Sequence, residues 1–97
     1  MIKVETMPNR IEVTGHAGYA SIGQDIICAA ISTLVQNLIF SIEGLTEDEI
    51  EYDVNTGSAV ITYGDLSENA QLLMDSFIIG CRAVAATHPE YVRVTNT

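Results

Sequence analysis

The stretch from Ile26 to Ile42 carries no charged residue, and this constrains the fold more than any other feature of the chain. An uncharged segment of this kind is either buried in a protein core or inserted in a membrane. It is shorter than the roughly 20 residues that a membrane-spanning helix needs, and Gln36 and Asn37 lie near its middle. We therefore predict a buried helix and no contact with a membrane.

The predicted helix begins near Gln24 or Asp25 and ends near Glu43, with Gly44 as a left-handed cap. Apolar residues at helical spacing form its first face: Ile27, Ala30, Ile31, Leu34, Val35, Leu38 and Ile42. The remaining surface is also apolar, at Ile26, Ala29, Ile39 and Phe40. A helix that is apolar on two sides needs two partners. One face can pack on a sheet, and the other on a second helix or on a second copy of the chain, so we expect a homodimer.

Two hairpins flank this helix in the sequence. Residues 2–14 alternate between apolar and polar side chains around a turn at 8–10, and residues 50–63 do the same around a turn at 55–58. Such alternation is typical of strands with one buried face. The connection from the helix to the second hairpin is acidic.

A second helix is predicted after Asp65, because residues 65–68 have the spacing of a capping box with Asp in place of Ser or Thr. Helical spacing continues to about Thr87, and Pro89 prevents further helix. Residues 91–94 would form a last strand. The predicted fold is α+β with the order ββαββαβ, both helices lying on one face of a mostly antiparallel sheet, and residues 1–97 form a single domain.

Charge and cysteine content narrow the class of protein. Thirteen acidic residues against four basic ones give a net charge of −9, so the chain would repel nucleic acid and a basic partner is the more natural fit. The same charge could simply keep a small apolar protein in solution. Two cysteines are too few for a disulfide framework or a cysteine-rich zinc site. The first residues follow a strand pattern, so we expect no N-terminal signal segment. We expect a cytoplasmic, reduced protein without a metal or another cofactor.

The chemistry is expected where the first hairpin runs into the first helix. Gly15 and His16 open a loop that contains further glycines at 18 and 23, and Cys28 follows near the predicted helix start. A thiol at a helix N-terminus has a lowered pKa, and an imidazole beside it can accept its proton. Against this, buried cysteines often only pack, and closeness in sequence does not establish contact. Cys81 falls within the apolar stripe of the second helix and is expected in the core.

The residues from Gly15 to Ser32 resemble a known signature. The string Gly-His-Ala, a spacer, and then residues 23–32, read as GQDIICAAIS, are similar to the motif of the ribosomal-processing cysteine protease family called Prp. The spacing from His16 to Cys28 is part of this similarity. The spacer at residues 18–22 is less polar than is common in the family and has no second histidine.

The resemblance implies that Cys28 is the nucleophile and His16 the general base of a cysteine endopeptidase. It also implies a substrate, the N-terminal extension of large-subunit ribosomal protein twenty-seven of the L series, which ends in apolar, aromatic-rich residues. Asp25 would either cap the helix or orient His16 or hold the substrate. Ser32, Gly15 and Gly23 would shape the site.

Two other interpretations stay open from the sequence. A phage-borne protease that processes a capsid or scaffold precursor would use the same site. A non-catalytic dimeric module would grip a peptide in the loop while Cys28 only packs. A thiol redox role is disfavoured because no Cys-x-x-Cys pair is present.

Overall fold

The computed structural model describes residues 1–15 and 22–96, except for the side chains of residues 22–25. The element order is the predicted ββαββαβ. The elements are β1 (Ile2–Met7), β2 (Arg10–Thr14), α1 (Ile22–Leu45), β3 (Ile50–Asn55), β4 (Ser58–Tyr63), α2 (Glu68–Thr87) and β5 (Val92–Asn96). The strands form one sheet in the order β3-β4-β2-β1-β5, in which β1 and β5 are parallel and the other neighbours are antiparallel.

Both helices pack on the same face of this sheet, as predicted. Alternate residues of the strands point at the helices, so that Val4 is fully buried while its neighbours Lys3 and Glu5 are not. The two helices also contact each other, and a side chain at Gly80 would come within 3.1 Å of Leu34. The core residues are Ile2, Val4, Ile11, Val13, Ile27, Ile31, Val35, Leu38, Ile39, Ile42, Ala59, Ile61, Met74, Phe77, Cys81 and Val92.

The predicted bounds of α1 are wrong at both ends. The helix begins at Ile22 and continues to Leu45, so that Gly44 is a helical residue and not a left-handed cap. Thr46, the residue after the helix, caps its C-terminus. The backbone N–H and the hydroxyl of Thr46 both donate to the carbonyl of Ile42, at 3.1 and 2.7 Å. A hydroxyl therefore satisfies the terminal carbonyl where a glycine was expected to reverse the chain.

The start of α2 also differs from the prediction, because Ser67 and not Asp65 is the N-cap. The Ser67 hydroxyl accepts from the N–H of Ala70 and donates to Asp48 at 2.6 Å, and the Ser67 N–H donates to the same carboxylate at 2.8 Å. These bonds from the Ser67 side chain and backbone lower the pKa of Asp48 below its usual value. The end of α2 at Thr87 is as predicted.

By length and composition alone, the segments Ile26–Leu45 and Glu68–Thr87 would each suffice to cross a membrane. Core helices of globular proteins pass the same test. Ile27, Ile31 and Ile42 of the first segment and Phe77 of the second are all buried in the core against the sheet. The apolar character of both segments is thus accounted for in part by the fold itself.

Candidate active site

Cys28 lies in the second turn of α1, on the side of the helix that faces the sheet. It is half-buried and packs against the core beside Ile27 and Ile31. Because α1 begins at Ile22, the thiol is two or three residues further from the helix N-terminus than the sequence suggested. The effect of the helix dipole falls off within the first turn, so it stabilises a thiolate at this position less than at the predicted position.

The Cys28 side chain lines a pocket of about 310 Å³ between α1 and the sheet. The inner wall is apolar, with Ile31 and Val35 from the helix and Val13 from β2. Polar groups stand around it at Ser32, Gln36, Asn55, Thr56 and Ser58. An apolar pocket with a few polar groups beside a thiol suits the binding of an uncharged side chain next to a reacting carbonyl.

Gly15 forms the end of the pocket where β2 stops. Its φ of +108° is in a region that residues with a side chain rarely adopt. A β-carbon here would overlap the carbonyl oxygen of Met1 and lie 3.0 Å from the α-carbon of Ile2. The Gly15 N–H donates to the carbonyl of Gly57 at 3.1 Å, which ties the chain just before His16 to the β3–β4 turn.

The structure brings three of the predicted site residues into one region, since Cys28, Ser32 and Gly15 all line this pocket. Ser32 lies one helical turn after Cys28 and is exposed. Gly23 and Asp25 lie in the first turn of α1, which excludes Asp25 as the N-cap because the helix already begins at Ile22.

His16 and residues 17–21 lie outside the described residues, as does the side chain of Asp25. The predicted role of His16 as general base, and those of Asp25 in orienting His16 or holding the substrate, therefore stay predictions. In residues 1–15 and 22–96, excluding the undescribed side chains, no group of three or more His, Cys, Asp and Glu could hold a metal ion.

Cys81 is fully buried in the core, as predicted. Burial raises the pKa of its thiol to about 12. Both cysteines are thiols. Of the two, only Cys28 lines the pocket, so the environments of the two thiols are very different.

The β3–β4 turn is the part of the site that sequence reasoning missed. Residues 55–58 were interpreted only as a turn, yet all four line the Cys28 pocket. They reach it because β4 pairs with β2 so that Thr14 lies opposite Ser58. The sequence shows hairpins but not which of their strands become neighbours, and no local signal reveals this pairing.

A family model confirms the resemblance seen in the loop motif. The model of the cysteine protease Prp matches residues 1–93, which is nearly the whole chain. The chain belongs to the Prp family of cysteine proteases. The protein is therefore a cysteine protease, and the fold just described is that of the family.

Named relatives agree with this assignment. The chain is 30% identical over 83 residues to the ribosomal processing cysteine protease Prp of Staphylococcus aureus. The aligned residues cover 82% of this chain and 78% of the relative. The chain is 29% identical over 94 residues to the Prp of Mycoplasma genitalium, covering 95% and 92% of the two chains.

A solved structure shows the same fold. The crystal structure of the essential ribosomal processing protease Prp from Staphylococcus aureus, in complex with a covalently linked product peptide, superposes with a TM-score of 0.86. Sequence identity is 27%, and each chain is covered completely. That relative thus forms a covalent link with a peptide product.

Proposed function

We propose that this Prp protease removes the N-terminal extension of large-subunit ribosomal protein twenty-seven of the L series, with Cys28 as nucleophile and His16 as general base. The observation that carries the proposal is the position of Cys28 in a mainly apolar pocket whose end wall, Gly15, leads directly into His16. The covalent peptide complex of the Staphylococcus aureus relative supports it. We place the reaction in the cytoplasm, where ribosomal proteins are made.

In the proposed mechanism, His16 takes the proton of the Cys28 thiol and the sulfur attacks the scissile carbonyl carbon. The tetrahedral intermediate collapses as His16 returns the proton to the leaving amine, and the new N-terminus departs. Water, deprotonated by His16, then attacks the thioester, which releases the carboxylate product and restores the thiol.

The position of Gly15 supports His16 as the base. Gly15 is held by the bond of its N–H to Gly57 and by the close approach of Met1, so the chain enters His16 from a fixed point on the pocket wall. Consecutive α-carbons are only ~3.8 Å apart. The other histidine, His88, is the C-cap residue of α2 and is not among the described residues that line the pocket.

The test is cleavage of the extended ribosomal-protein precursor, measured by the intact mass of both products. We expect one cut, and we expect Cys28→Ala and His16→Ala to abolish it. Cys81→Ala and His88→Ala are the matched controls, because they remove the same residue types outside the pocket, and both should still cut.

A protein that binds the precursor without cutting it would refute the protease assignment for this substrate and favour a peptide-binding module. Cutting that survives Cys28→Ala would refute the proposed nucleophile. Failure to bind or cut this precursor, with cleavage of a phage capsid or scaffold precursor, would favour the alternative substrate class.

We also propose a homodimer formed through the outer face of the helix layer. Ile26 and Phe40 of α1 are each 65% exposed, and Leu72 and Ile79 of α2 are 67% and 68% exposed. Leu72 and Ile79 are seven positions apart and therefore lie on one side of α2. Four large apolar side chains on two adjacent helices form a surface that a second copy could cover.

The molar mass in solution, measured by light scattering after size-exclusion chromatography, tests the dimer. We expect a dimer that becomes a monomer in the Phe40→Glu, Ile79→Glu double variant. Leu45→Glu, a change at an equally exposed residue at the end of α1, is the control and should stay dimeric. A monomeric parent protein at micromolar concentration would refute the proposal.

A further inference from the structure

The edge strand β3 carries an apolar strip that the helix layer does not cover. Tyr52 pairs with Ile61 and Val54 pairs with Ala59, and both partners are buried beneath the helices. Cross-strand partners share a face, so Tyr52 and Val54 also face the helix side of the sheet. The side chains of Tyr52 and Val54 are nevertheless 46% and 47% exposed, because β3 is the edge strand of the sheet and α1 does not cover it.

Tyr52 and Val54 form one wall of a groove, and a row of residues along one side of α1 forms the opposite wall. Cys28, Ser32 and Gln36 are four positions apart and follow one side of the helix. The Cys28 pocket joins these three residues to Val54. A second cleft, of about 740 Å³, joins Glu43 of α1 to Ile50 and Glu51 of β3. Both clefts therefore lie along the same seam between α1 and β3, and Tyr52 stands between them on the strand.

The length of the seam corresponds to a short extended peptide. Fifteen helical positions separate Cys28 from Glu43, which is ~22 Å at the rise of an α-helix. An extended chain advances ~3.3 Å per residue, so about six or seven residues would reach from one cleft to the other.

The two ends of the seam differ in charge. The described residues that line the Cys28 pocket carry no charge, whereas the second cleft is lined by Glu43, Glu47, Asp48, Glu49 and Glu51. No Lys or Arg is found among the described residues lining either cleft. The carboxylate of Asp48 is already bonded to Ser67, and Glu51, the neighbour of Tyr52 on β3, lies on the other face of the sheet. Glu43, Glu47 and Glu49 are therefore the carboxylates available to a ligand in the groove.

We propose that the α1–β3 groove, defined by Ser32, Gln36, Tyr52 and Val54, binds the substrate polypeptide itself in an extended conformation. The bound segment packs apolar side chains on Tyr52 and Val54 and places basic side chains at the acidic cleft, about six or seven residues from the bond that Cys28 attacks. This inference rests on the proposed peptidase function and adds a second point of recognition to it. The groove is continuous with the Cys28 pocket, and its charge is complementary to that of a basic substrate.

The first experiment uses Tyr52. Peptide binding buries the exposed part of its ring, so Tyr52→Ala should raise KM about five- to tenfold and leave kcat unchanged. Tyr52→Phe keeps the ring and should resemble the parent protein. Asp53→Asn is the matched control, because Asp53 is the next residue of the same strand but lies on the other face, and its KM should stay within about twofold of the parent value.

The second experiment measures the distance between the apolar Cys28 pocket and the acidic cleft. The peptides carry a Leu-Leu pair for the pocket and a Lys-Lys pair for the cleft, two, four, six or eight residues apart, and a fluorescein label. The Cys28→Ala protein, which does not cut them, is titrated into each peptide, and binding is followed by fluorescence anisotropy. Affinity should be highest near six residues, and Glu43→Gln should lower that maximum about threefold at low salt.

The outcomes separate this inference from the proposed function. If cleavage is seen and Tyr52→Ala has the KM of Asp53→Asn, the groove is refuted and the protease stands. If no precursor is cut but peptide binding depends on Tyr52 and on the spacing, the proposed function fails and the groove stands. Binding that is absent, or indifferent to Tyr52 and to spacing, refutes the groove in either case.

Discussion

Substitution of Gly15 tests whether the wall of the Cys28 pocket is fixed by backbone geometry. In Gly15→Ala the new β-carbon would meet the Met1 carbonyl and the α-carbon of Ile2, which belong to the backbone of the neighbouring strand and cannot turn away as a side chain can. To relieve this overlap, either the φ angle of residue 15 must change from +108° or β1 must move away from the end of β2.

Both routes cost stability. A residue with a β-carbon loses about 1–2 kcal/mol on the left-handed side of φ, and relief of the overlap adds to this, so we expect a loss of about 2–4 kcal/mol. A domain of this size is stable by only about 5–15 kcal/mol. The loss corresponds to a fall in Tm of at least ~8 °C.

Gly44→Ala is the matched control. Gly44 lies within α1, and apart from its chain neighbours and the adjacent backbone of its own helix nothing lies within 4 Å of the position that its β-carbon would take. Because alanine favours the helix, the change should raise stability by up to about 1 kcal/mol. Urea unfolding at equilibrium, followed by circular dichroism, measures both variants against the parent protein.

The two glycines should thus respond with opposite sign. If Gly15→Ala unfolds at the same urea concentration as the parent protein, then the positive φ and the close approach to β1 do not constrain the pocket wall. Peptidase activity measured well below the Tm of the variant should also fall, since a shift of Gly15 displaces the start of His16 from the pocket.

Three further predictions follow from the two thiols and the α2 cap. Iodoacetamide at pH 7.5 should modify Cys28 and spare Cys81 until the protein unfolds, because burial raises the pKa of Cys81 to about 12; equal rates by mass spectrometry would contradict the described burial. Cys81→Ser should lower stability by about 1–3 kcal/mol in urea unfolding, since it puts a hydroxyl into the apolar core, and an unchanged midpoint would mean that the site admits a partner for it. Asp48→Ala should lower Tm at pH 7, because the ionised carboxylate holds Ser67. The pKa of Asp48 is lowered by folding, so its contribution is complete above its usual value of 3.8 and is lost as pH falls below it; a Tm difference that persists unchanged at pH 2.5 would contradict this origin.

The sequence predicts the elements of this fold well, because apolar periodicity records them directly. The alternation at residues 2–14 and 50–63 and the helical spacing after Ile26 each reappear as the expected strands and helix. Helix ends are less predictable where side chains distant in the sequence decide them. Ser67 is the N-cap of α2, and its hydroxyl and N–H are bonded to Asp48 from another connection.

The site could be predicted only in part for a similar reason. Gly15 and Cys28 are noticeable in the sequence through their chemistry and spacing, and they do line one pocket. The turn at residues 55–58 and the exposed strip at Tyr52 and Val54 depend on strand order and on how far the helices extend over the sheet. Those properties belong to the packed molecule, and no local pattern encodes them.

The parallel pairing of β1 with β5 sets when during synthesis the pocket can exist. Ile2 lines the Cys28 pocket, and its N–H donates to the carbonyl of Tyr91 at 2.8 Å, so residues near opposite ends of the chain hold this wall together. A nascent chain that already contains Cys28 and the whole β3–β4 turn still has β1 as an open sheet edge. Pairings between such distant residues form slowly, and this one has to wait for β5 to leave the ribosome. The Cys28 pocket is therefore complete only after β5 has been synthesised and has paired with β1.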